Sequence, residues 1–418
     1  DTYPYVSDVV NSSPTPDSSG EREVVSLFAE LQIPVFENFD MQAAIRYEDF
    51  SDVGDTTVGK VAFGYRPIES LLLRGSWSQA YRVPNLVTIN ESIVARNNTR
   101  TDYACLYAAE NGGDIDQTTL DCTNSIQRIA QGSNTLNPEE SINTSLGFVF
   151  TPNEDITVTF DYWSIKKENT IGLFGEENHT LLDLLLRLEN GNANCASAQF
   201  NPAVSRDDAS VGEAAVYEAA GICPAGDIRF IDDQYANLDE RNLTGYDIGV
   251  YYDLDTNAGK FKFSYNGSFI EEFEQKAGGD AAILVQAQET GQIPLSYPVA
   301  GFADLIGQDG NQEQRHSARV SWRKSAFGAS LSGSRIGSFY QSSLTLEDGT
   351  RYIIPAMTTY NATFDYRFDM NNVDTRLRLG IRNLTNERAP LADNYFGFFA
   401  DAHRDYGRSY YLDFQSKF

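Results

Sequence analysis

The sequence predicts an all-β fold, a transmembrane antiparallel β-barrel, and three observations carry that reading. Apolar and polar residues alternate with period two along many short runs; 23 Tyr and 25 Phe sit on a chain that is only 41% hydrophobic; and long connections segregate from short ones. Alternation places one residue set on each face of an extended strand. FKFSYNGSF (261–269) sets Phe261, Phe263, Tyr265, Gly267 and Phe269 against Lys262, Ser264, Asn266 and Ser268. ITVTFDYW (156–163) repeats the pattern, and TRLRLGIR (375–382) sets Leu377, Leu379 and Ile381 against Arg376, Arg378 and Arg382. The longest apolar stretch, TLLDLLLRLENG (180–191), is interrupted by Asp183 and Arg187 and is too short to cross a bilayer as a helix. A barrel crosses with alternate residues facing lipid and so keeps a moderate mean hydropathy, here −0.38.

In chain order, residues 1–20 (DTYPYVSDVVNSSPTPDSSG) read as loop. Thirteen strands follow, near 22–35, 38–50, 57–67, 69–82, 139–151, 155–169, 242–254, 259–273, 313–324, 327–341, 356–368, 374–384 and 406–418. ENF (37–39), RPIE (66–69), TPNE (151–154), DTNAG (255–259), KSAF (324–327) and DMNN (369–372) read as turns, rich in Pro, Gly, Asn and Asp. The long connections, 83–138, 170–241, 274–312, 342–355 and 385–405, all emerge on one side. A soluble sandwich has no reason to segregate its loops so, whereas a membrane barrel has short turns on one side and long loops on the other. An odd strand count in a class with even counts predicts further strands upstream. The terminal strand GRSYYLDFQSKF puts Tyr410, Leu412, Phe414, Ser416 and Phe418 on one face, with Phe418 at the short-turn rim.

The net charge of −27 opposes binding to nucleic acid, whose phosphates would be repelled. Four cysteines stand as two pairs, Cys105/Cys122 and Cys195/Cys223, each in a polar, strand-poor stretch. Three connectivities are open; nearest-neighbour pairing would staple two loops and implies an oxidising compartment. Zinc is the weaker reading, because neither pair has C-x-x-C spacing and the chain has three histidines. His179, His316 and His403 lie far apart, and no G-x-S-x-G or H-E-x-x-H appears, so catalysis has little support and no cofactor or metal is called for.

GSWSQAYRVPNL (75–86), followed by LNPEESINTSLGFVFTP (136–152), resembles the TonB-dependent receptors of Gram-negative outer membranes. In that family a strand ending in a serine, an aromatic and R-x-P-x-L leads into a large extracellular loop, and N-P-E-x-S opens the next strand. LGIRNLTNERAP (379–390) and DYGRSYYLDFQSKF (405–418) are similar to its final hairpin and aromatic insertion signal, carried here by Tyr410, Leu412, Phe414 and Phe418. The resemblance implies roughly the last thirteen strands of a 22-strand barrel, with 1–418 as its C-terminal part and the N-terminal plug absent from this chain. It also implies partners: the TonB–ExbB–ExbD system acting through a plug, the barrel assembly machinery, outer-membrane lipid and lipopolysaccharide, a small or oligomeric solute, and in some members a surface lipoprotein. Active import of a scarce large solute, an iron–siderophore or an oligosaccharide, is the function implied. A passive porin-like channel and a surface adhesin or scaffold are the alternatives.

Candidate residues follow from placement. Arg74, Arg82, Arg376, Arg378 and Arg382 read as lumen-facing; a wet lumen tolerates any charge, while contact with a plug or an anionic solute is the sharper role. Tyr103, Tyr107, Tyr217, Tyr235, Tyr297 and Tyr395, all in long loops, could stack on a flat solute, although loop packing explains them equally. IDDQYANLDE (231–240) reads as a solvated acidic loop rather than a metal site. The 180–191 segment reads as a short amphipathic helix capped by Thr180, ending near Gly191 and packed within its own loop.

Overall fold

The computed structural model describes residues 18–91, 93–113, 120–346, 350–370, 373–393 and 396–417. Phe418, Tyr395 and most of the N-terminal segment read as loop lie outside the described residues.

Thirteen strands form one antiparallel meander in which every strand pairs with its predecessor in the wall. They are β1 (Val24–Phe36), β2 (Phe39–Phe50), β3 (Gly54–Ile68), β4 (Leu71–Arg82), β5 (Glu139–Asn153), β6 (Ile156–Glu168), β7 (Arg241–Thr256), β8 (Gly259–Gln275), β9 (Gln314–Lys324), β10 (Phe327–Ile336), β11 (Met357–Met370), β12 (Val373–Arg382) and β13 (Ser409–Lys417). A two-residue strand, Ala303–Asp304, adds to the outer end of β8.

Because directly opposed residues share a face, the register turns the alternation into two continuous surfaces. Leu254, Phe261, Trp322, Ala329, Phe364, Leu379 and Leu412 stand opposite one another across seven strands. Thr157, Tyr251, Ser264, Arg319, Ser332 and Asn361 make a row on the other face. The apolar face is not covered by protein: Leu146, Leu379 and Leu412 are 60%, 50% and 69% exposed. Among the described residues, Met357 is the only wall residue with a buried apolar side chain; the rest of that set lies in the loops. No described helix is long and apolar enough to cross a membrane.

The polar face is threaded by glycines that let charged pairs cross a strand. Arg74, Gly147 and Asp161 are aligned across β4, β5 and β6, and Arg74 Nε donates to Asp161 Oδ1 at 2.8 Å over the glycine. A Cβ on Gly147 would overlap both the Asp161 carboxylate and the Phe160 carbonyl. Arg323, Gly328 and Asp365 repeat the device across β9, β10 and β11.

Two expectations need correction. The segregation of loops is not strict: β2 and β3 are joined on the long-loop side by residues 51–53 alone. The strand expected at 327–341 ends at Ile336. Gly337 N donates to Gln314 O there, and Phe339–Thr345 leaves the wall to pair with Arg351–Ile354. Burial explains the departure, since Phe339 is 2% exposed and packs with Ile354 and Phe399 in a small core of loop residues.

Candidate functional site

The loops at one end of the sheet fold together into a cap. The first contributes α1 (Leu86–Asn90), α2 (Tyr103–Asn111) and the strands Val94–Thr101 and Thr123–Ala130. The second contributes α3 (Glu176–Asn190), α4 (Val211–Ala219) and the strands Val204–Arg206 and Ile228–Asp232, and the third contributes α5 (Gly279–Glu289). Strands of the first two loops share one four-stranded sheet, joined where Ile228–Asp232 runs parallel to Thr123–Ala130.

The α3 sequence explains the assembly. LLDLLLRL carries more apolar residues than one face needs, and the surplus is buried: Leu181, Leu184 and Leu185 are 0–1% exposed in a core with Ala108, Val216, Leu284 and Ile293. The helix thus packs against α2 and α5 from other loops, not only within its own. It begins at Glu176 after Gly175, so Thr180 is an interior residue and not the cap. The Thr180 hydroxyl, fully buried, donates to Thr101 O and Glu177 O. Gly191 ends the helix as expected, at φ 61°.

Both cysteine pairs form nearest-neighbour disulfides, Cys105–Cys122 and Cys195–Cys223, each with Cα atoms 5.4 Å apart. A buried ion network ties the loops further. Arg206 donates from Nη2 to Asp102 Oδ1 at 2.7 Å and from Nε to Asp183 Oδ2 at 3.0 Å, and Arg187 Nε donates to the same Asp183 oxygen at 3.0 Å. Asp102 also caps α2 by accepting from Ala104 N. Burial disfavours the Arg206 charge, yet Asp102 and Asp183 outweigh it and hold the guanidinium above its ordinary pKa. Burial raises the Glu177 carboxyl, and the Arg388 hydrogen bond pulls Asp405 down to about 2.

The tyrosines divide by burial. Tyr103, Tyr217 and Tyr297 are 6%, 2% and 1% exposed; Tyr103 stacks on Tyr297 with ring centroids 5.1 Å apart, joining the first loop to the third. These rings are core residues and cannot stack on a solute, which corrects the expectation for them. Tyr107 and Tyr235 are half-buried. The acidic stretch is also not wholly solvated: Ile231 is fully buried and Asp233 is 1% exposed, with Oδ1 accepting from Gly175 N and standing 3.4 Å from His179 Nε2.

A pocket of about 600 Å³ opens in the cap between the second and third loops, lined by Phe174, His179, Asp232, Asp239, Asp280 and Phe302 among others. A second, of about 680 Å³, lies against the outer half of the polar face between Asp247, Asn266 and Arg315 of the wall and Asp401 and Arg404 of the last long loop. All five arginines expected in the lumen fall on the polar face by register. Arg74 pairs with Asp161, Arg82 with Glu139 at 3.1 Å, and Arg382 lies over the Tyr411 ring at 5.1 Å. Sequence reasoning missed Asp102, Asp183 and Arg206, which lie at distant positions; the local signal was Asp102 standing just before the Tyr103–Asn111 helix.

The family profile described as TonB dependent receptor-like, beta-barrel matches residues 1–384. Among solved structures, the siderophore receptor PirA from Acinetobacter baumannii matches with a TM-score of 0.57 at 13% identity, over 94% of this chain and 45% of that one. The ferric enterobactin receptor PfeA from Pseudomonas aeruginosa matches at 0.58 and 16% identity, over 95% and 45%. The copper transporter OprC matches at 0.50 and 11%, over 94% and 47%. At these identities the likeness establishes the fold, and the chain spans a little under half the length of each of these proteins. No curated protein sequence matches.

Proposed function

The chain belongs to the TonB-dependent receptor β-barrel family, and from that membership we propose that it forms the C-terminal part of an outer-membrane receptor that captures a scarce large solute and imports it at the expense of the proton-motive force. The observation that carries this reading is the cap. Three loops share one core, two disulfides and a buried ion network at one end of a polar-faced wall, and a pocket of about 600 Å³ opens within them. A passive channel has no need of so ordered an entrance. Pre-ordered loops lower the conformational cost of binding a solute tightly. The apolar face, bare of protein, is the surface that lipid would cover. The plug and the remaining strands are assigned to sequence outside this chain, and with them the contact to TonB.

An iron–siderophore is the preferred cargo class, since of the neighbours named above PirA is a siderophore receptor and PfeA a ferric enterobactin receptor. Phe174 and Phe302 supply flat apolar walls in the cap pocket. Tyr107 and Tyr235 remain candidate contacts, as does Tyr395. The test is growth and labelled-solute uptake in an iron-starved Gram-negative host lacking its own siderophore receptors and expressing the full-length protein, with and without a protonophore. Uptake abolished by the protonophore supports the reading; uptake that survives it makes the protein a passive channel.

A further inference from the structure

We propose that the polar face, near its short-turn rim, holds an oxyanion site built by Arg323, Arg376 and Arg378 that takes a carboxylate or phosphate group. The wall encloses a pocket of about 260 Å³ there, far along the strands from the cap. Its charges do not balance. Lys260 and Lys262 are answered by Asp255 and Asp253, and Arg319 donates to Ser330 at 3.3 Å. Four further arginines, Arg323, Arg367, Arg376 and Arg378, line the pocket with a single carboxylate, Asp365, which is 6% exposed. Arg323 Nη2 donates to Asp365 at 2.9 Å, and Arg376 Nε stands 3.8 Å from the same oxygen, too far for a hydrogen bond.

Three donors are left over. Among the described residues, Arg323 Nη1, Arg376 Nε and Arg378 Nε are buried without a hydrogen-bond partner. Buried donors are nearly always paired, and an unpaired one attached to a charged group costs more than a neutral one. A guanidinium cannot escape that cost by losing its proton. The three arginines that carry these atoms line one pocket in which four guanidinium groups face a single carboxylate, and together the unpaired donors and the excess charge point to an acceptor that binds there. Planar N–H forks match the oxygens of a carboxylate or phosphate. The cation excess is local, since the whole chain carries −27. Gly328 keeps the site open: a Cβ there would stand 2.6 Å from Arg323 Nη2 and 2.8 Å from Asp365 Oδ1.

The site is independent of whichever solute the cap captures. The oxyanion has two sources, a free anion or an acidic side chain of polypeptide filling the lumen, and the experiment separates them. Purified full-length receptor in detergent is titrated with inorganic phosphate at constant ionic strength and followed by 31P line broadening. In parallel, a carbodiimide couples Lys260 and Lys262 to adjacent carboxylates, and the products are mapped by peptide mass. Phosphate binding that weakens at least tenfold in the Arg376→Gln, Arg378→Gln double variant, and partly recovers in Arg378→Lys, supports a free anion. Cross-links to an acidic residue other than Asp253 and Asp255, from outside these strands, support a polypeptide carboxylate. Heat-modifiable gel mobility confirms that each variant folds. Neither phosphate binding nor such a cross-link in the wild-type protein overturns the proposal.

Discussion

The wall and the cap are stabilised in different ways. In the wall, each strand pairs with its neighbour, apolar side chains stand exposed in a row, and almost nothing apolar is buried by protein. Its cohesion comes from ladder hydrogen bonds and, in the proposed setting, from lipid on the apolar face. The cap resembles a small soluble domain held by a helix-centred core, two disulfides and a buried Asp–Arg–Asp network. The difference teaches that the two parts should fail separately.

The largest separation is expected from Arg206→Met, which leaves Asp102 buried without its guanidinium and takes one of two from Asp183. Breaking a buried pair in this way costs about 3–5 kcal/mol. Hydrogen exchange should rise across α2 and the Val204–Arg206 strand, while amides of β9–β12 keep their protection; loss of protection throughout the wall would unite the two regions and refute the distinction. Leu184→Ala, at a fully buried position, should cost the cap about 3 kcal/mol, read as faster proteolytic nicking within residues 170–240 of a still heat-modifiable barrel.

Reduction should act on the cap alone. The bridges span 17 and 28 residues, and loops of that size contribute about 3 kcal/mol each in the chain-entropy account. Reduced protein should bind its solute more weakly and still show the folded barrel's gel mobility; unchanged affinity would show that stapling is irrelevant to capture. Conversely, Gly147→Ala should act on the wall alone, at about 1–3 kcal/mol, because the new methyl meets a backbone carbonyl that cannot move aside cheaply. Its readout is the temperature at which heat-modifiability is lost, with cap proteolysis unaltered.

The smallest effect is pH-dependent and concerns the last long loop. His403 is 1% exposed, its ring lies parallel to Phe339 at 5.5 Å, and neither ring nitrogen has a partner among the described residues. Burial lowers its pKa from 6.5. The unfolded segment therefore takes up a proton before the folded one, so stability is level above about pH 6.5 and falls as pH drops below it, until the folded ring titrates. The protection factors of amides in residues 396–405, which are exchange rates corrected for the intrinsic fall in amide exchange with pH, should drop from pH 7 to 5 in the wild type and not in His403→Phe; the same drop in both would assign the effect to other groups.

The same division decides what could be read in advance. All thirteen strands were legible because period two is a local property and each strand's partner is its sequence neighbour. The errors came where a loop core pulled on the chain, as Phe339 does at the end of β10. The candidate residues fared according to region. The five arginines share the polar face, which parity alone assigns, whereas the choice between solute contact and loop packing for Tyr103, Tyr217 and Tyr297 was not legible, because burial in a multi-loop core leaves no periodic trace. The Leu-rich α3 was the one local hint of that core, and its excess of apolar residues could not say which loops would cover it.

By itself, the sequence determined the two-faced wall, the side on which the large loops emerge, the likeness to TonB-dependent receptors and the cysteine pairs available for stapling. These rest on alternation, turn chemistry and short-range spacing, which survive without knowledge of distant contacts. Only the tertiary structure decided that three loops make one cap, that Asp102, Asp183 and Arg206 meet, and that Arg323, Arg376 and Arg378 gather around one carboxylate. Each of those depends on residues far apart in the chain, as Asp102 and Arg206 or Tyr103 and Tyr297 are, and their proximity is set by the register of the wall and the shared burial of the cap rather than by any local pattern.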